Sequence, residues 1–389
     1  MEVFLFLENI ALPIFDSKIQ EMCFTQYTME KFRKEFPVLR KGVYANTAVY
    51  GLLYESLLDW RQEHDLDFLV HGSDMRVKTL KLFSDTRKTV GEFFHCKREN
   101  VALVNNFSTG LNVLLEGLNP KKKILLIEGD YPSLNWSFEN RGFNIRYLKM
   151  VCDLEDRIQE VIEKEHIDVL ALSLVQWLDG FSIDLEFLKQ LKIKFPDLLI
   201  IADGTQFCGS MQFDFDNSGI DVVGASAYKW LLAGYGNGFM LFSDRVKEEI
   251  SIKNIGFNAA NGDLDKKNSI RFAKLFEPGH LSSLNFGSLK FSLDYFTKIG
   301  MDKITGQNRK LSEKAKSEFQ ALGLLDEKFI ERKSHSTIFN IRADDSIFQH
   351  LLANDVYCAQ RGQGVRLSFH FYNTESEIDS IIKILKTSR

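Results

Sequence analysis

The stretch DVLALSLVQWLDGFSIDLEFLKQLKIKFPDLLIIAD (Asp168–Asp203) decides the fold. Its two ends, DVLALSLVQ and LLIIAD, are apolar at nearly every position, as strands buried on both faces of a parallel sheet must be. Between them DLEFLKQLKIKF (Asp184–Phe195) carries its apolar residues at helical spacing. Strand, helix and strand in that order make one βαβ unit. Outward from it the alternation continues. Upstream lie ILLIE (Ile124–Glu128), a helix near Ser133–Arg141, a strand at Ile145–Met150, and LEDRIQEVIEKE opened by Asp153. From about Val101 to Phe242 the pattern predicts a doubly wound α/β domain. Ligands in such sheets sit beyond the carboxyl ends of the strands, so the loops after each apolar run are where chemistry belongs.

After about Leu284 the pattern changes. SLKFSLDYFTKIG reads as a long amphipathic helix, and Thr337–Ile341, Val365–His370 and EIDSIIKILK predict a smaller α+β unit. The expected division is residues 1–42 as an N-terminal segment, 43–284 as the large domain and 285–389 as the small C-terminal domain. Met29 stands just ahead of KFRKEFPVLRKGVYANTA, so the first 28 residues read as an extension outside the main fold.

Over 389 residues, 44% hydrophobic and 26% charged composition suits a globular chain with a large core. A formal net charge of −4, with basic residues interspersed among acids, argues against a nucleic-acid partner. Lys121–Lys123 precede an apolar strand and read as a solvated loop. Five cysteines without a CxxC pair, and histidines without an HxxxH pair, support neither a disulfide framework nor a metal site. MEVFLFLENIALPIF carries Glu2 and Glu8 and is too short to span a membrane, so no membrane partner and a cytoplasmic location are expected.

Three segments converge on one chemistry. In IIADGTQFCG a strand ends at Asp203, where a carboxylate costs desolvation unless a positive group meets it; Gln206 follows three residues on. In VVGASAYKWLLAGYGNGFML, Lys229 follows a strand-like run and precedes Gly234, Gly236 and Gly238; a lysine in a low-polarity cleft becomes a nucleophile. In GVRLSFHFYNT, Arg366 on an apolar strand needs an anion, and its planar fork suits a carboxylate. The run Gly234-x-Gly236-x-Gly238 is not GxGxxG and precedes a strand, which disfavours a nucleotide-binding reading.

Asp203-x2-Gln206 followed by Ser226-Ala227-Tyr228-Lys229-Trp230 resembles fold-type I pyridoxal-phosphate enzymes, and more narrowly the class V aminotransferase family. That family includes cysteine desulfurases, selenocysteine lyases, kynureninases and isopenicillin N epimerase-like proteins. The resemblance implies pyridoxal 5'-phosphate as cofactor, a small amino acid as substrate and a homodimer. It implies Lys229 as the Schiff-base residue, Asp203 as the partner of the pyridinium nitrogen and Gln206 as a hydrogen-bond donor to the phenolic oxygen. Gln176 is placed near the same oxygen. Ser108, Thr109 and the helix they open would hold the phosphate, joined by Ser226, Tyr228 and, from a second subunit, His280. Trp136 would stack on the ring, Arg366 would take the substrate carboxylate, and Asn46 would approach the substrate. Cys358 lies close before Arg366 with no long loop around it, so it is expected to be structural rather than a sulfur carrier. Transamination of a small amino acid is the expected reaction, with lyase or epimerase chemistry, or a non-catalytic member of the fold, as alternatives.

Overall fold

The computed structural model describes residues 29–332 and 335–387, so the expectation for residues 1–28 lies outside the described residues. The short strand β1 (Val43–Tyr44) is followed by helices α1 (Glu55–His71) and α2 (Met75–Phe94). Then come β2 (Val101–Val104), α3 (Phe107–Glu116), β3 (Lys123–Ile127), α4 (Pro132–Glu139), β4 (Asn144–Leu148), α5 (Leu154–Glu165) and β5 (Val169–Ser173). Helix α6 (Leu185–Lys194), β6 (Leu199–Asp203), β7 (Val222–Ser226) and β8 (Gly238–Phe242) complete the large sheet. The remainder is α7 (Ser283–Ile299), α8 (Met301–Ala321), β9 (Ile338–Ile341), α9 (Asp345–Ala353), β10 (Val356–Tyr357), β11 (Ala359–Arg361), β12 (Gly364–Ser368) and α10 (Glu375–Thr387).

The large sheet has seven strands in the order β2-β8-β7-β6-β5-β3-β4, parallel from β7 through β4, with β8 antiparallel to both of its neighbours. Alternate residues of each strand feed two separate cores, as the two-residue period of a pleated strand requires. Leu125, Leu170, Leu172, Ile200 and Val223 pack under α2, α5, α6 and α7. Ile124, Leu126, Val169, Ala171, Leu199 and Ile201 pack under α3 and α4. This double cover is why those strands carry apolar residues at every position.

A second unit has a three-stranded antiparallel sheet, β11-β12-β9, with its own core from α8, β9, β12 and α10. Strand β1 pairs in parallel with β10, so the chain enters through this unit before it reaches the large sheet. Phe286, Leu289 and Leu293 of α7 belong to the large-domain core, and a Cβ at Gly287 would lie 2.2 Å from the Trp60 ring. The small unit's core takes in Ala45, next to β1, and then Leu311 of α8 onward. Among the described residues no helix is long and apolar enough to cross a membrane, and no His/Cys/Asp/Glu cluster could hold a metal ion.

The buried carboxylate of Glu277 ties β2 to α2. It accepts from the Leu103 amide at 3.0 Å and from Lys274 Nζ at 2.7 Å, and pairs with Arg87. Its removal strands two cations and one amide inside the protein. Glu277→Ala is expected to cost about 3–5 kcal/mol in urea unfolding, and a loss under about 1 kcal/mol would contradict that role.

Candidate active site

The carboxyl ends of β3, β5, β6 and β7 converge on Lys229. The lysine follows β7 in a turn that the segment before α1 presses upon. Gly51 donates its amide to the Tyr228 carbonyl at 3.0 Å, and a Cβ at Gly51 would come within 1.8 Å of the Lys229 carbonyl oxygen. Only glycine permits that approach. Lys229 is 6% exposed, and burial pushes its ammonium below the ordinary lysine range, with the Asp203 charge opposing the shift. Asp203 closes β6; burial raises its carboxyl, while hydrogen bonds from Thr205 oppose the rise. The two side chains feel each other's charge but form no direct ion pair.

The neighbours of Asp203 fix it in place. Thr205 donates its amide to Asp203 Oδ1 at 2.8 Å, and its hydroxyl accepts from the Ser226 amide at 3.1 Å. Gln206 donates to the Ala48 carbonyl at 3.1 Å and accepts from Trp230 Nε1 at 2.6 Å, which leaves one amide N–H for a ligand oxygen. A second buried carboxylate, Asp130, lies at the end of β3. It accepts from the Ser173 amide at 2.8 Å, the Ser173 hydroxyl at 2.5 Å and the Tyr131 amide at 2.6 Å. Gln176 also bonds it, and its charge adds to the upward shift of Asp203. Ser173 is the register partner of Asp203, so one serine spaces the two acids.

Helix α3 points its first turn at the same cleft. Asn106 caps it by accepting from the Thr109 amide at 2.8 Å, and Ser226 Oγ accepts from the Phe107 amide at 2.9 Å. The Ser108 amide makes no hydrogen bond among the described residues. Ser108 is half-buried and Thr109 exposed. This is the donor arrangement a phosphate needs: a helix N-terminus of positive potential flanked by hydroxyls.

The aromatic beside the lysine is Tyr131, whose ring centre lies 5.6 Å from Lys229 Nζ. Pro132 starts α4 and leaves Tyr131 just outside it, over the end of β3. Trp136, expected to stack on the cofactor, lies a turn into α4 and is 66% exposed. Tyr228 has its ring 5.5 Å from Lys229 Nζ and stacks on Tyr235 at 4.5 Å. His280 is exposed on the loop before α7 and makes no hydrogen bond or ring contact among the described residues. Asp130, Tyr131, Thr205 and Trp177 were not singled out from the sequence. The acidic residue and aromatic directly after the ILLIE strand were the available signal.

Arg366 enters from β12. It is 2% exposed, yet it has no carboxylate partner among the described residues. One nitrogen donates to the Trp177 carbonyl, Nε lacks any partner, and burial lowers its pKa to about 10. Asn46 bridges to Ser368 on the same strand, and its buried Oδ1 also lacks a partner. A buried guanidinium is costly without an anion, which makes Arg366 a candidate holder of one, whereas the Asn46 Oδ1 is an acceptor that needs a donor.

Cys358 lies between β10 and β11, buried, with its thiol pushed up to about 12 by desolvation. Cys96 and Cys208 are buried as well, and Cys152 is exposed on the loop after β4. No thiolate is poised at the lysine among the described residues.

Residues 69–381 match the family model Aminotransferase class-V. The chain belongs to that family. A probable cysteine desulfurase of Methanothermobacter thermautotrophicus is 23% identical over 395 residues, covering 92% of this chain and 97% of that one. The apo cysteine desulfurase of Thermococcus onnurineus NA1 superposes with a TM-score of 0.81 at 17% identity, covering 92% and 97%. The cystine C-S lyase C-DES, in complex with cysteine persulfide, also gives 0.81 at 18% identity, covering 90% and 98%.

Class V aminotransferases depend on pyridoxal 5'-phosphate, and the residues here fit it. A buried lysine and a buried acid face one cleft without neutralising each other, a helix N-terminus opens beside them, and a tyrosine ring flanks the lysine. Tyr131→Ala is expected to weaken cofactor affinity about tenfold by fluorescence titration, while Trp136→Ala leaves it within about twofold. The reverse ranking would favour the stacking role expected for Trp136.

Proposed function

We propose that this class V enzyme is a pyridoxal-phosphate-dependent lyase acting on an α-amino acid that carries its leaving group on Cβ. The buried Arg366, without a carboxylate partner among the described residues and with its charge felt at Lys229, is the observation that carries the amino-acid reading. When bound, pyridoxal phosphate supplies an electron sink for bonds at the substrate's Cα. Lys229 Nζ, disposed by burial to be neutral, takes up and returns the Cα proton. Asp203 presents a carboxylate to the ring nitrogen, and Gln206 offers its free N–H to the phenolic oxygen. Ser108, Thr109, Ser226 and the α3 N-terminus hold the phosphate, with Tyr228 beside them. Arg366 and Asn46 clamp the substrate carboxylate and so orient the Cα bonds.

The desulfurase and C–S lyase names of the relatives support cleavage at Cβ rather than transamination. The buried, protonated Cys358 argues against sulfur transfer through a protein persulfide. β-Elimination consumes only water besides the amino acid, so the released Cβ leaving group, ammonia and a keto acid should form with no added amino acceptor. A requirement for an added keto acid, with the cofactor left in its amine form, would establish transamination instead.

We further infer a homodimer. Leu66, Leu69 and Val70 of α1, Val77 of α2, and Phe257 and Leu264 are exposed apolar residues. A Cβ at Gly262 would lie 3.6 Å from both Arg76 and Phe257, which joins the loop to α2. Light scattering should give twice the 44.8 kDa chain mass; a monomer at micromolar concentration would contradict this. Arg366→Gln should raise KM for amino acids about a hundredfold and spare cofactor binding. Cofactor uptake by the apoprotein should accelerate as pH rises, because only the neutral amine reacts. Its midpoint should fall below that of a free lysine, and a midpoint at the ordinary lysine value would refute the buried environment.

A further inference from the structure

Arg361 is the charged residue at the site's mouth that the proposed reaction leaves unused. Strands β11 and β12 form a two-residue hairpin whose register pairs Ala359 with Arg366 and Arg361 with Gly364. Directly opposed residues share a face, and so do alternate residues along a strand. Arg361, Gly364 and Arg366 therefore lie on one face, with the two arginines diagonal neighbours and a glycine contributing no side chain between them. Diagonal positions of an antiparallel pair are about 7–8 Å apart, close enough for two groups on one small ligand.

The hairpin is pinned to the cleft. Gly362 takes φ +58 at the first turn position, as a two-residue hairpin turn of this kind requires, and a Cβ there would lie 3.3 Å from Leu178. Asn340 Nδ2 donates to the Arg361 carbonyl at 3.0 Å and to the Leu178 carbonyl at 3.4 Å. Arg366 donates to the adjacent Trp177 carbonyl. The Arg361 guanidinium thus rises from a backbone held on both sides. Its charge reaches both Lys229 and Arg366, disfavouring protonation of each. It is exposed, has no carboxylate partner among the described residues, and its one hydrogen bond runs from Nη1 to the Gln360 carbonyl at 2.8 Å.

Once Arg366 has taken an α-carboxylate, the Arg361 guanidinium beside it on the same hairpin face still has no acid partner among the described residues. We propose that Arg361 is a specificity-determining residue that binds a second carboxylate, so that the substrate is a dicarboxylic α-amino acid whose Cβ leaving group carries the second acid, with L-aspartate and L-glutamate serving as binding probes. The inference rests on the proposed amino-acid site and adds the side chain that this site selects. Arg361 sets the distance at which the second anion is met, so a short acidic side chain bridges the two guanidinium groups. Neutral amino acids of similar size leave Arg361 solvated and gain nothing from it.

The test uses the holoenzyme, with change in the cofactor's absorption as the readout, titrated with L-aspartate, L-glutamate and L-alanine. At least one dicarboxylic amino acid should bind about tenfold or more tightly than L-alanine. Arg361→Gln should remove that preference while leaving L-alanine affinity within about twofold, and Arg361→Lys should restore part of it. Arg366→Gln should weaken all three. Equal affinities in the unaltered enzyme, or a preference that survives Arg361→Gln, would overturn the proposal while leaving the amino-acid site standing. A cofactor-loaded enzyme that responds to none of the three amino acids would instead sink the amino-acid reading, and this inference with it.

Discussion

The structure depends on burying a lysine and a carboxylate in one cleft without letting them pair. Desolvation acts on both: it disfavours the ammonium of Lys229 and the ionised carboxyl of Asp203. A direct ion pair would relieve that cost and also disarm both groups. Asp203 is instead held by Thr205, spaced from Asp130 by Ser173, and left electrostatically exposed to a ligand. The unrelieved desolvation is tolerable because the parallel strands beneath are covered on both faces, so the frame does not yield to it. A ring nitrogen that prefers to be protonated is the group that would satisfy Asp203.

The small unit completes the cleft and is coupled to it through polar contacts. Asn308 of α8 donates to the Ser210 carbonyl at 2.8 Å and lies 3.3 Å from His370 Nδ1; His370 Nε2 meets the Trp230 carbonyl at 2.9 Å. Trp230 in turn donates to Gln206. Burial holds the pKa of His370 down to about 3, so this relay contains a neutral imidazole over the physiological range. Ser368 accepts from the Ala48 amide at 2.9 Å, which fixes the segment carrying Asn46 to the strand carrying Arg366. Arg366 and Asn46 are therefore set relative to Lys229 by hydrogen bonds rather than by apolar packing alone.

Much of this was legible in the sequence because it rests on local pattern. Continuous apolar runs mark doubly covered strands, and residues directly after them, such as Asp203 and Lys229, fall at the ligand end of the sheet. Arg366 was legible because an arginine in an apolar strand demands an anion. The exposure of Trp136 was not, because spacing along the chain does not tell whether a residue precedes α4 or lies a turn inside it. Pro132 decides that, and places Tyr131 over the lysine. Asp130 and Arg361 were hidden for a different reason. Each reads as an ordinary loop or edge charge, and only strand register brings it beside Asp203 or Arg366. Asp153 opens α5 as expected, yet its side chain makes no capping hydrogen bond.

Reductive trapping tests the central claim most directly. Protein loaded with pyridoxal phosphate should lose its yellow absorbance on borohydride treatment, and peptide mass analysis should then find the reduced cofactor on Lys229. Recovery of the adduct on another lysine, or on none, would contradict the account of this cleft.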